Sequence, residues 1–255
     1  MARDGRGARA LPVPEQPGLA AGFLAALPLF VAYELGLANA LQGTARAPAE
    51  ALLGRSLLVF GENVRWARLA LLIALAVLAY TAARRAEVDL LRAVPRQWGE
   101  GVLAGVALGP LLVLLQRWLG GPELSALRAS PHSLTVLLRL IGAAPWEELF
   151  FRVAGYGLLF LIVLRAATFL GLSRQLAYLL ADLTALLGSA LAFALFHLDS
   201  VQRVLNDRGE SFHSGVFLWR LSAGILLGAL FRWRGFGVSA WAHAVFNVGL
   251  ALAAR

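Results

Sequence analysis

Two adjacent carboxylates followed by a guanidinium, Glu147-Glu148-Leu149-Phe150-Phe151-Arg152, interrupt a long apolar stretch of this chain. A lone charge near the centre of a bilayer costs roughly 2.5–3.5 kcal/mol, so ionisable groups this close together in an apolar run require pairing, water or a chemical task. On a helix, residues four apart share a face, and Glu148 with Arg152 can form an ion pair that lowers the cost of burying both. Glu147 points about 100° away from its neighbour and is left to face something else, as a general base would. The bland alternative is that the three residues stitch helices together or mark a helix end.

Two further elements carry chemistry-bearing side chains. Phe193-Ala194-Leu195-Phe196-His197 closes another apolar run, with Phe193 one helical turn before the imidazole and on its face. Near the C-terminus, Ser239, His243 and Asn247 follow one another four apart and make one polar stripe on an otherwise apolar helix. Such a stripe must face protein or water. His and Asn can donate to an oxyanion if a carbonyl is held against them, and interhelical hydrogen bonding is the plainer reading. Acid, base and oxyanion donors are therefore available on three separate segments.

Rival chemistries are weaker. Two carboxylates and two imidazoles could ligate zinc, although His-Glu-x-x-His is absent. Ser239 with His243 could form a serine dyad, but no glycine-flanked nucleophile motif surrounds the serine. The chain has no cysteine, which removes disulfides, thiolate metal sites and a cysteine nucleophile. A transporter or scaffold that uses the buried charges for proton relay or packing is the non-enzymatic alternative, and inverted repeats with broken helices would support it. None is visible.

The elements that must position these groups are membrane helices. With 255 residues, 59% hydrophobic content and 15% charged residues, and a mean hydropathy of +0.71, the chain reads as a polytopic membrane protein. Apolar runs extend over about 19–41, 67–83, 102–119, 134–170, 176–198, 216–231 and 236–253, and crossing the hydrocarbon layer takes about 20 residues each. The fourth run is too long for a single crossing and is expected to hold a break or a re-entrant helix. The expectation is an all-α transmembrane bundle of six to eight spans. A polar lead over residues 1–17 is expected to be disordered, followed by a single helical domain over 18–255.

The net charge of +8 comes from arginine alone, since no lysine occurs. The arginines sit at span ends instead of clustering on one face, so they read as orientation signals and not as a nucleic-acid surface. Arg3, Arg6, Arg9, Arg84, Arg85, Arg92 and Arg96 would lie inside with Arg232 and Arg234, although Arg46, Arg55 and Arg65 in an outer loop weaken this orientation. Gly224 and Gly228 form a small-x-x-x-small face, read as helix packing.

Together the motifs resemble the CPBP family of intramembrane glutamic endopeptidases, the CAAX prenyl proteases and bacteriocin-processing enzymes. Their pattern is Glu-Glu-x-x-x-Arg, then Phe-x-x-x-His, then His-x-x-x-Asn, and here the three elements occur in that order over about residues 134–250. Pro145, Trp146 and Val153 depart from the family's usual residues without removing a reactive group. The resemblance implies that Glu147 with His197 activates a water, that His243 and Asn247 stabilise the oxyanion, and that Glu148, Arg152 and Phe193 support them. It implies a protein or peptide substrate at the bilayer and no required cofactor, with zinc left open by the residues themselves. Biased composition and the short lead suggest a bacterial inner-membrane protein. The orientation favours a C-terminal anchor on an exported protein, as handled by myxosortase-like members.

Overall fold

The computed structural model describes residues 18–38, 58–119, 134–204 and 209–253. In chain order the helices are α1 (Leu19–Ala38), a 3-10 turn (Leu58–Asn63), α2 (Val64–Arg85), α3 (Leu90–Leu119) and α4 (Leu134–Glu148). A π-helical segment (Leu149–Tyr156) leads from α4 into α5 (Gly157–Phe169), followed by α6 (Arg174–Phe196), α7 (Asp199–Val204), α8 (Ser214–Arg234) and α9 (Phe236–Ala253). Among the described residues the one β-type pairing is an isolated parallel bridge between Leu198 and Glu210. The all-α bundle expected from the apolar runs is therefore observed, and six of its helices are long and apolar enough to cross a membrane. The expected lead over residues 1–17 lies outside the described residues.

Two elements differ from expectation. The run over residues 134–170 contains no break: α4, the π segment and α5 form one continuous rod, about 50 Å long at helical rise. The π turn within it re-aims side chains without ending the helix. The third apolar run starts at residue 102 by hydropathy, yet α3 starts at Leu90. Its extra turns are polar because their charges have partners: Arg96 Nε lies 2.8 Å from Glu100 Oε1, and Arg234 Nε donates to Glu100 Oε2 at 2.8 Å. That pairing brings Arg96 and Arg234 to one end of the bundle, as the arginine pattern expects. The first helix is described as far as Ala38, and residues 39–57, with the end of the run over 19–41, lie outside the described part.

Small residues decide which helices approach closely. Gly101 and Gly105 on α3 lie against α9, where an added Cβ would meet Trp241 Cβ at 2.4 Å and Val245 Cβ at 2.6 Å. Gly142 on α4 takes the backbone of Tyr33 from α1, with Tyr33 N 2.5 Å from a hypothetical Cβ. Gly224 and Gly228 face Ala190 and Leu186 of α6, so the small-residue face read from the sequence packs helices as expected. A single residue, Gly235, with φ 89°, turns α8 into α9, a left-handed geometry that suits glycine.

Helix α9 is the hub, packed on α1, α3, α4 and α8. One apolar cluster joins Phe23, Phe30, Tyr33, Trp146 and Phe236 from α1, α4 and α9. A second joins Leu112, Trp219, Leu227 and Phe246 from α3, α8 and α9. Pro28 lacks an N–H and crowds the preceding turn of α1. Close to it the Ala25 carbonyl accepts from two indoles, Trp98 Nε1 at 2.7 Å and Trp241 Nε1 at 2.8 Å. These bonds tie α3 and α9 to the same point on α1, fixing the helix that carries the polar stripe.

Candidate active site

The adjacent glutamates leave α4 where the π segment begins, and both reach His243 of α9. Glu148 Oε1 accepts from His243 Nδ1 at 2.8 Å, while His243 Nε2 lies 3.5 Å from Glu147 Oε2. Successive helical side chains point apart, and they meet one ring because its two nitrogens occupy opposite edges. A carboxylate only accepts, so Glu148 places the proton on Nδ1 and turns Nε2 toward Glu147. Phe246, one turn along the polar stripe's helix, stacks flat on the imidazole at 4.9 Å between centroids and 1° between planes.

Glu148 also meets Arg152, as the i, i+4 spacing implied, with Arg152 Nε 3.4 Å from Glu148 Oε2. Both side chains are completely buried. The guanidinium lies 4.9 Å from the Phe193 ring centroid of α6 and donates from Nη2 to Gly224 O of α8 at 3.3 Å. Arg152 thus ties the π segment to α6 and α8 while it neutralises Glu148. Glycine at 224 serves both needs, close packing and an accessible carbonyl.

His197 caps the C-terminus of α6. Its Nδ1 donates to Phe193 O at 2.8 Å, which leaves Nε2 unengaged by that bond. Phe193 stands between the imidazoles, 4.8 Å from the His197 ring and 6.0 Å from His243. The imidazole in direct contact with Glu147 is His243, and the Phe193 ring contacts both imidazoles. Asn247 donates to Leu140 O of α4 at 3.4 Å. Since Leu140 precedes Glu147 and Asn247 follows His243, α4 and α9 run antiparallel through the site. Ser239 donates to Phe236 O at 3.1 Å, within its own helix.

Sequence reasoning missed Arg220 and Glu210. Arg220 Nε donates to Glu210 Oε2 at 2.9 Å, and Nη2 meets the other carboxylate oxygen. The charge of Arg220 acts on both Glu147 and His197. A lone arginine inside the apolar run over residues 216–231 is the signal that could have found it, by the same cost argument that singles out Glu147. Gln202 was missed as well; it donates to Phe196 O beside His197. Among the described residues, no group of three or more His, Asp and Glu side chains is arranged to hold a metal ion.

Fold and site define an integral membrane protein whose spans converge on a buried polar centre. Residues 129–249 match the family model of type II CAAX prenyl endopeptidase Rce1-like proteins, so this part of the chain is similar to that family. This is the family that the three motifs resembled, and the matched segment contains every site residue from Glu147 to Asn247. It is a protease family, and the match supports intramembrane CAAX-type endopeptidase activity in general terms. No curated protein and no solved structure matches the chain significantly.

Proposed function

We propose that the chain is an intramembrane endopeptidase in which Glu147 is the general base, on the strength of one observation: of two adjacent buried carboxylates, only one is fully committed to structure. Glu148 is held by both Arg152 and His243, whereas Glu147 has a single longer contact. Glu147 would remove a proton from water as the water oxygen bonds to the scissile carbonyl carbon and the carbonyl electron pair moves onto oxygen. The same proton would then pass to the departing amide nitrogen as the C–N bond breaks. His197 would offer Nε2 to the water or the leaving group. The second N–H of Asn247 would donate to the developing oxyanion, joined by His243 in its doubly protonated form, whose Nε2–H is additional to the Nδ1–H held by Glu148, with preorganised donors contributing most while they cost no reorganisation.

The substrate would be a protein or peptide cleaved beside the membrane in a C-terminal or leader segment. A C-terminal anchor of an exported bacterial protein is the preferred case, carried by the orientation of the arginines. The test is hydrolysis by the purified chain in lipid nanodiscs of a farnesylated CAAX peptide and, separately, of a synthetic C-terminal anchor peptide. Cleavage of either that vanishes in Glu147→Gln supports the reading. Undiminished cleavage by Glu147→Gln would refute Glu147 as the base, and preserved biological activity after joint replacement of Glu147, His197 and Asn247 would favour a scaffold or transport role.

A further inference from the structure

His197 is half-buried at the end of α6, where the chain leaves the bundle and returns into α8. A free helix end would let the imidazole swing, yet the backbone at and beside His197 is held by a chain of contacts. Glu210 N–H donates to His197 O at 2.9 Å, and Asp199 N–H donates to Glu210 O at 2.8 Å, so the returning segment lies beside the departing one. Gly209 makes this approach feasible, since a Cβ there would lie 2.6 Å from Asp199 N and 2.6 Å from Leu198 C. Gln202, fully buried on α7, donates to Phe196 O. The Glu210 carboxylate is in turn gripped by both arms of Arg220, whose side chain is 11% exposed.

We propose that Arg220 and Glu210 form a clamp that positions His197, which makes both of them positioning residues of the hydrolytic centre; this rests on the reading that His197 acts in hydrolysis. The path is short and physical. Arg220 is fixed on α8, and the bidentate pair fixes the Glu210 side chain. Glu210's backbone then fixes the His197 peptide through its bridge. The His197 ring is already tied to Phe193 O, so locking the peptide locks the direction in which Nε2 points. An arginine is required for the grip because its planar fork matches a carboxylate, which a lysine ammonium does not.

The experiment uses the full chain in nanodiscs and two readouts. Diethyl pyrocarbonate modification, followed by mass spectrometry, reports His197, with exposed His213 as the reactive control and buried His243 as the control for an intact fold. Hydrolysis of the peptide probe gives kcat and KM. Arg220→Gln and Glu210→Gln are expected to raise His197 modification several-fold with His213 and His243 unchanged. They are also expected to lower kcat about 10- to 100-fold, the loss that misplacement by about 1 Å produces, with KM held within about two-fold. Arg220→Lys is expected to recover part of kcat. Unchanged His197 modification in Glu210→Gln, in protein whose His243 stays protected, would overturn the clamp. Undiminished cleavage by His197→Ala would refute the role of His197 in hydrolysis instead, and His197 reactivity in the Arg220 and Glu210 variants would still decide the clamp.

Discussion

Replacing Glu147 and Glu148 one at a time by glutamine separates chemistry from architecture at neighbouring positions. In Glu148→Gln the Arg152 guanidinium loses its carboxylate while remaining completely buried, and His243 Nδ1 loses a charged acceptor at 2.8 Å. Removing one partner of a buried ion pair costs about 3–5 kcal/mol, because the other charge is left uncompensated. The hydrogen bond to a charged group, worth about 1.5–3 kcal/mol, overlaps with that figure and is not added to it. For a chain of this size about 1 kcal/mol moves Tm by roughly 2–4 °C, so Glu148→Gln should lower Tm by about 6–20 °C. Glu147→Gln loses only the 3.5 Å contact to His243 and should stay within about 1 kcal/mol of the wild type. Its hydrolytic rate should fall about 10²- to 10⁴-fold, the range for loss of a general base. Thermal unfolding and peptide hydrolysis, measured on the same nanodisc preparations, give both numbers. Equal loss of stability in the two variants would refute the division of labour.

Asn247→Ala should cost about 1 kcal/mol for the bond to Leu140 O, and lower kcat by about 10²- to 10³-fold if its second N–H meets the oxyanion; thermal unfolding beside steady-state kinetics separates the two. His197→Ala should abolish hydrolysis and leave the protein in the membrane, whereas His213→Ala, exposed before α8, should change neither; cleavage assays and membrane fractionation of both variants check this. Gly142→Ala would drive a Cβ into the Tyr33 backbone and should destabilise the α1–α4 contact by about 1–3 kcal/mol or more. Gly99→Ala, where nothing lies within 4 Å, is its neutral comparison in the same melting experiment.

The fold was legible where hydropathy alone decides it. Six helices long enough to cross a membrane appear where apolar runs were read, and Glu148 meets Arg152 because i, i+4 spacing leaves little choice. What could not be read was tertiary. Spacing along α9 puts Ser239, His243 and Asn247 on one face but cannot say that the ring of His243 would stand between two carboxylates. The start of α3 was misplaced because Arg96 and Glu100 look like loop residues until Arg234, far along the chain, is seen to pair with them. The long run over residues 134–170 was expected to break because it is too long for one crossing, and a π segment instead carries the helix through without ending it. Arg220 escaped notice for another reason: its partner Glu210 belongs to no periodic element, so no spacing rule links them.

Helix α9 has a consequence for how this protein would respond to its lipid surroundings. It is an 18-residue helix, roughly 27 Å at 1.5 Å per residue, shorter than the approximately 30 Å hydrocarbon layer. Neighbours on several sides shield most of it, and its polar side chains never need to satisfy acyl tails. Changes in acyl-chain length would then be absorbed by tilting of the peripheral rods, at a small cost for each ångström of mismatch. An interior rod insulated in this way keeps its register with α4 while the outer shell adjusts, so turnover should vary little across vesicles of different thickness.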